Sequence, residues 1–223
     1  MLKIKVYSCA AGNYDRVAES LFKSKAKVED NVSYTLFTDQ PYTDSVWEVR
    51  PLQFTHPFCA RRSARWHKIN SDCLFPDYDA TVWIDANFCI KDISITDFVQ
   101  SLFNSDCHIF AFKHPDRTCI YQEYAACKRL NKDNPVLMLK QVDSYAKQGY
   151  PSFNGLVETG CVVRRNTPQV EIFNMRWWQE LHNHSFRDQL SFNYVAWKLS
   201  IPYGLIPGRG TKSDFFDYIR HIK

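Results

Sequence analysis

The apolar run Val82-Trp83-Ile84 stops abruptly at Asp85-Ala86-Asn87, so two oxygen-bearing side chains stand one residue apart at the end of a strand-like segment. By the two-residue period of a strand, both project to the same side. A hard divalent cation prefers oxygen ligands and commonly shares them with substrate phosphates. Asp85 and Asn87 are therefore candidate ligands for a metal that also holds a diphosphate. The same residues equally suit a turn in which Asp and Asn act as local caps. A second pair with the same spacing, Asp77 and Asp79, precedes the strand. It lies at the amino end, where ligands of an α/β sheet are less expected, and a solvated turn after Pro76 accounts for it simply.

Cations stand close by in sequence. On a helix, Arg61, Arg65 and Lys68 share one face through the i, i+4 and i, i+3 relations, which would aim all three at a diphosphate. A plain solvated face is the alternative. Gly208-Arg209-Gly210-Thr211-Lys212 combines backbone freedom with two cations, as a loop closing over phosphates would, and also as an exposed turn would. Asp188 begins a helical stretch, where the helix dipole favours a carboxylate. It is read either as a cap or as a group that orients or deprotonates an acceptor hydroxyl. Trp177, Trp178 and Tyr194 could offer flat faces to a sugar ring, although aromatics at helical spacing more often build the core. His221 is a lone histidine, suited to completing a metal shell or to the surface.

Other chemistries lack their signatures. There is no Gly-x-Ser-x-Gly elbow, no Gly-x-Gly-x-x-Gly turn after the first strand and no His-Glu-x-x-His helix. Serine hydrolase, classical dehydrogenase and zinc protease readings fall behind accordingly.

The elements that must position these residues alternate. Lys3 to Ser8, Ser33 to Thr38, Val46 to Val49, Thr81 to Ile84, His108 to Phe112 and Gly160 to Arg164 read as strands. Helical periodicity marks Tyr14 to Lys25, Ala60 to Asn70, a helix capped by Thr96, Cys119 to Leu130, Val136 to Lys147, a helix starting at Thr167-Pro168, and Asp188 to Leu199. This order predicts an α/β fold with a mainly parallel sheet covered on both faces, its ligands beyond the carboxyl ends of the strands. Nothing splits residues 1–223 into more than one domain: no repeat, low-complexity tract or long linker is visible.

Bulk composition sets the remaining bounds. With 223 residues, 45% of them hydrophobic, the chain can bury one sizeable core. A net charge of +4, from 28 Lys and Arg against 24 Asp and Glu, is too mild to be a nucleic-acid footprint. The eight cysteines are widely spaced without a Cys-x-x-Cys pair, which predicts reduced, buried thiols rather than a disulfide framework or a zinc site. The amino terminus does not read as a signal peptide, and no stretch approaches the ~20 apolar residues of a membrane span. The expectation is a cytoplasmic protein without membrane insertion.

Several segments, taken in order, resemble the nucleotide-sugar glycosyltransferases of the GT-A fold, in particular a family of glycosyltransferase-like domains found in plants, bacteria and large algal viruses. They are Arg65-Trp66-His67-Lys68, Tyr78 to Asn87, His114 to Cys119 with Tyr121 and Glu123, Glu158-Thr159-Gly160, Trp177-Trp178, and Arg187 to Phe192. The resemblance implies a UDP-sugar donor, a glycan acceptor, and Mn2+ or Mg2+ at an Asp-x-Asp position filled here by Asp85-Ala86-Asn87. The asparagine departs from that pattern and removes one negative charge. It further implies that Ser8, Ala10, Thr38 and Asp39 hold uridine, and that Arg65 with Lys68 holds ribose and diphosphate. Glu158, Gly160, Asp188 and Gln189 would line the transferred sugar and acceptor, with Glu158 and Asp188 as the catalytic carboxylates. His221 would be the late metal ligand, and Lys212 belongs to the loop over the phosphates. A nucleotidyltransferase and a non-catalytic glycan-binding module are the alternatives.

Overall fold

A computed structural model of the chain describes residues 1–12 and 24–219. The expected helix from Tyr14 to Lys25 falls largely outside them, as does His221. Seven strands form the main sheet: β1 (Ile4–Ala10), β2 (Val32–Thr38), β3 (Trp47–Arg50), β4 (Ala80–Ile84), β6 (Ile109–Lys113), β7 (Val157–Arg165) and β8 (Gly204–Ile206), in the order β3-β2-β1-β4-β7-β6-β8. The pairings β1 with β2, β1 with β4, β2 with β3 and β6 with β8 are parallel, while β7 is antiparallel to both its neighbours. β2 and β4 flank β1 on opposite sides. The chain therefore reverses its direction of sheet growth at β1 and β4, which creates the switch point where open α/β sheets bind ligands.

Both faces of the sheet are packed. Val6, Leu36, Val82, Ile84 and Phe112 pack on one face with Phe98, Val99 and Phe216. Tyr7, Phe37, Trp83 and Ala111 pack on the other with Phe173, Trp177 and Phe192. This double burial explains why β1 is buried at every position, Lys5 included. The Lys5 ammonium lies over the rings of Phe75 and Tyr78 and donates to Thr35 Oγ1 at 3.2 Å.

The helices that matter for the site are α1 (Ala60–Ile69), α4 (Ile120–Arg129), α5 (Pro135–Lys147), α6 (Pro168–Asn183) and α7 (Phe192–Leu199), with α2 (Ser71–Leu74) and α3 (Ile95–Leu102) completing the set. Three local expectations change. The cap of α3 is Ser94, whose hydroxyl accepts from the Asp97 N–H at 3.1 Å, while the Thr96 hydroxyl is spent on Asn31. Thr167 does precede α6, but its hydroxyl pairs with His108 Nδ1 rather than capping. The stretch from Asp188 to Leu199 is a 3₁₀ turn, Asp188–Leu190, followed by α7, because the Asp188 side chain is engaged elsewhere and does not cap a helix.

A second, two-stranded sheet was not legible beforehand. β5 (Phe88–Ile90) follows the Asp85 turn directly and pairs antiparallel with β9 (Phe216–Tyr218), so the C-terminal segment is bound to the turn that carries Asp85 and Asn87. Ile219 N–H donates to Asn87 O at 2.9 Å, and Asn87 Nδ2 donates back to Ile219 O at 3.3 Å. The eight cysteines are all free thiols, five of them buried. No helix among the described residues is long and apolar enough to cross a membrane.

Candidate functional site

β4 ends at Ile84 because the next residue turns the chain: Asp85 N–H donates to Gly160 O at 2.7 Å, and Phe88 N–H donates to Asp85 O at 2.9 Å. Asp85, Ala86 and Asn87 then line a cavity of about 290 Å³ at the carboxyl ends of β1 and β4. β7 completes the wall through an irregularity. Its register with β6 jumps from Val162 opposite Ala111 to Glu158 opposite Phe112, while Cys161 still pairs with Ile84 of β4. The extra residues re-aim Glu158, Thr159 and Gly160 into the cavity, as bulges beside functional sites do. Gly160 is required by close approach, since a Cβ there would stand 2.6 Å from Phe88 Cζ.

Four charged groups form the floor. Lys68, with no exposed surface, comes from the last turn of α1 and places Nζ 2.5 Å from Asp188 Oδ2 and 3.4 Å from Asp85 Oδ1. Arg65, one turn earlier, reaches both carboxylates as well, at 3.5 Å from Asp85 and 3.4 Å from Asp188. Trp83 Nε1 donates to Asp85 Oδ1 at 2.8 Å, and Thr159 Oγ1 donates to Asp188 Oδ2 at 2.9 Å. Burial works to raise the Asp188 carboxyl, but Arg65, Lys68 and Arg187 outweigh it and hold it far below the ordinary range. Burial also pulls the Lys68 ammonium down, against the attraction of Asp188 and Asp85. The ammonium stays charged against the buried Asp188 carboxylate, from which its Nζ stands 2.5 Å.

Glu158 behaves in the opposite way. Burial raises its carboxyl above the usual value, the Gly210 N–H that it accepts works against this, and Asp116 and Asp85 add to it. Gly210 has no room for a side chain, since an added Cβ would collide with the Glu158 carboxylate. The C-terminal loop thus closes one wall with Gly210 and Thr211.

Of the residues expected at a ligand, Arg61, Arg65, Asp85, Ala86, Asn87, Glu158, Gly160, Asp188 and Gln189 are brought together around this cavity, and Lys68 lies beneath it. Others are not. At the end of β1 the cavity is lined by Cys9 and by Ala11 just beyond the strand, while Ala10 packs in the opposite core and the Ser8 hydroxyl is buried away from it. Thr38 is buried with its hydroxyl on Gln40 N–H, and Asp39 is spent on the Gly12 N–H. Lys212 bridges to Arg209 and is exposed outside the lining, where Thr211 takes its place. Trp177 and Tyr194 are core residues without exposed surface, and Trp178, half-buried against Phe54, is outside the cavity lining. Asp77 and Asp79 border a separate depression with Arg165 and Thr167, at the amino end of β4. Lys132, Phe186 and Arg187 line the cavity although no spacing singled them out.

Among the described residues, no three His, Cys, Asp or Glu side chains are grouped to hold a metal ion. The donors at the Asp85 turn are one carboxylate and one amide. Lys68, Arg65 and Trp83 all meet Asp85 at Oδ1. Two oxygen donors fit a Mg2+- or Mn2+-type ion that takes its remaining ligands from water and substrate phosphates. They do not form a complete cage for an ion bound alone.

An open α/β sheet with a cavity at its switch point has the place where such folds bind ligands, and here that cavity has a floor of paired charges and an oxygen-bearing turn. The chain belongs to the TOD1/MUCI70 glycosyltransferase-like domain family, whose profile matches residues 43–215. That span takes in α1, the Asp85 turn, Glu158 and Asp188. The chain is also similar to the probable hexosyltransferase MUCI70 of Arabidopsis thaliana, with 22% identity over 194 residues, which is 83% of this chain and 32% of that protein. It therefore spans about a third of the length of the curated relative it matches.

Proposed function

We propose that this domain is a glycosyltransferase of the GT-A type that moves a hexose or deoxyhexose from a UDP-sugar to a hydroxyl of a glycan, with Mn2+ or Mg2+ held at Asp85 and Asn87. The observation that carries this reading is the convergence of Asp85, Asn87 and Arg65 on one cavity at the β1/β4 switch point, with Lys68 beneath it holding Asp85 and Asp188. Family membership and the likeness to a probable hexosyltransferase support it.

The ion, when bound, neutralises the diphosphate as it leaves. Asp85 and Asn87 are the residues that would hold it. Arg65 and Arg61 face the same cavity and stabilise negative charge as it develops, the point at which such stabilisation accelerates the reaction. Asp188 acts as an anchor. A carboxylate that is 1% exposed, bonded to Lys68 and Thr159 and held well below its usual pKa is a poor proton acceptor. Glu158, which lines the cavity and has a raised pKa, is the carboxylate suited to the sugar and acceptor side.

The test is UDP release from a panel of UDP-sugars, with and without EDTA. The reading predicts release from one donor class that EDTA stops and that Asp85→Ala abolishes while the fold persists. Nucleoside triphosphate exchange with release of pyrophosphate would mean a nucleotidyltransferase instead. Sugar binding indifferent to Mn2+, without UDP, would mean a glycan-binding module.

A further inference from the structure

The segment His114 to Glu123 contributes nothing to the charged floor, yet it builds a second buried cluster that reaches the same cavity through one side chain. Glu123 lies in the first turn of α4 and is 1% exposed. Its Oε2 accepts from Arg117 Nε at 2.6 Å, and its Oε1 accepts from Cys127 Sγ at 3.2 Å and stands 3.5 Å from Arg187 NH2. His114 fixes the turn that delivers Arg117, with Nδ1 accepting from the N–H groups of Asp116 and Arg117, each at 3.1 Å. One carboxylate thus faces two guanidiniums. The closer contact matches Arg117, which leaves Arg187 as the surplus cation of this cluster.

Arg187 lines the cavity beside Asp188 with its side chain about one-fifth exposed. Its Nε–H is sealed from solvent without a hydrogen-bond partner among the described residues, so the exposed part of the side chain is what a ligand oxygen would meet. On the floor, by contrast, Arg65 and Lys68 are matched one for one by Asp85 and Asp188. Over the two clusters four cations, Arg65, Lys68, Arg117 and Arg187, face three carboxylates, Asp85, Asp188 and Glu123. The surplus positive charge reaches the cavity wall at Arg187, a wall that Lys132 and Arg61 also line.

We infer that Arg187 binds the diphosphate of the donor, and that Glu123 is a positioning residue that holds the Arg187 guanidinium in the cavity wall. This inference rests on the nucleotide-sugar reading above and assigns a role to the His114–Glu123 segment. Burial works to raise the Glu123 carboxyl, but Cys127, Arg187 and Arg117 outweigh it, so the group stays ionised and able to hold a guanidinium.

Isothermal titration of UDP and of uridine, with Mn2+ present, separates a phosphate contact from general damage. Arg187→Gln is expected to weaken UDP at least tenfold and to leave uridine within about twofold. Glu123→Gln is expected to do the same to a smaller extent, with Arg187→Lys intermediate. If Glu123→Gln does not fold, Glu123→Asp takes its place: it keeps the charge but draws the carboxylate back by one methylene, and the same selective loss is expected. A merely structural role for Glu123 would weaken UDP and uridine equally, and this overturns the inference. So does unchanged UDP affinity in Arg187→Gln. Wild-type protein that binds no UDP would instead bring down the nucleotide-sugar reading on which the inference stands.

Discussion

Lys68→Met removes the ammonium that joins Asp188 to Asp85 and leaves the rest of α1 intact. The lysine has no exposed surface and Asp188 is nearly as buried, so the substitution strands a carboxylate in a dry floor. Losing one partner of a buried pair typically costs 3–5 kcal/mol. Arg65 still stands 3.4 Å from Asp188 and Thr159 still donates to it, which puts the expected loss at the low end, about 3 kcal/mol. For a chain of this size that corresponds to a fall in Tm of roughly 6–12 °C. The sign of the pH dependence follows from the depressed Asp188 pKa. A carboxylate held below its unfolded value contributes stability above that value and loses it as pH falls through the folded one. The gap between wild type and Lys68→Met is thus widest near neutrality and narrows below about pH 4. Denaturant melts at pH 7 and pH 3.5 check this, together with Asp188→Asn and the double variant. The cycle should give a coupling of at least about 1 kcal/mol. A Lys68→Met variant as stable as wild type at pH 7, or a coupling near zero, would refute the ion-pair account of the floor.

Other consequences are more local. Gly160→Ala places a Cβ against the Phe88 ring, which is packed by Phe216 and Tyr218, so overpacking should cost about 1–3 kcal/mol in a thermal melt and weaken UDP binding through the Asp85 turn. Glu158 has a raised carboxyl, so its contribution to stability is most favourable below its unfolded pKa and declines as pH rises through the folded one. Glu158→Gln should therefore gain stability relative to wild type on going from pH 4 to pH 7 while losing transfer activity by about 10²-fold or more, read by melts and UDP release. Asn87→Asp restores a second negative charge to the turn and should tighten Mn2+ in the presence of UDP by about tenfold, or about 1.4 kcal/mol, by titration. Unchanged Mn2+ affinity would count against the amide as a ligand.

Parts of this arrangement were legible in the sequence for physical reasons. β4 announces itself as a short apolar run cut off by Asp85, and α1 displays its cations at helical spacing. Both signals survive folding because they depend only on local period. Depth did not survive as well. The spacing that unites Arg61, Arg65 and Lys68 cannot tell that Arg61 is at the rim while Lys68 is fully buried. The resemblance puts Ser8 and Ala10 at the ligand, whereas Cys9 on β1 and Ala11 just after it line the cavity, and in a strand buried on both faces burial does not tell which side meets a ligand.

What remained hidden depends on long-range pairing. The jump in register that turns Glu158 and Gly160 into the cavity exists only between β6 and β7, and β5 with β9 are three-residue strands that form only because each meets the other. Arg187 was invisible as a ligand-facing residue because its orientation comes from Glu123, 64 positions earlier in the chain. The signal that could have found it is charge balance. The segment from His114 to Glu123 already matches its carboxylate with its own Arg117, so a second arginine brought to it keeps charge to spare for a ligand.

In the proposed function the Asp85 turn grips a nucleotide diphosphate through a divalent ion. Electron paramagnetic resonance of Mn2+ titrated with protein and UDP reads this directly. Wild type should immobilise Mn2+ strongly only when UDP is present, since Asp85 and Asn87 supply two ligands and the phosphates must supply more. Asp85→Ala should abolish that signal and Asp77→Ala/Asp79→Ala should retain it. Retention in Asp85→Ala, with loss in the Asp77/Asp79 variant, would contradict the account and move the site to the other end of β4.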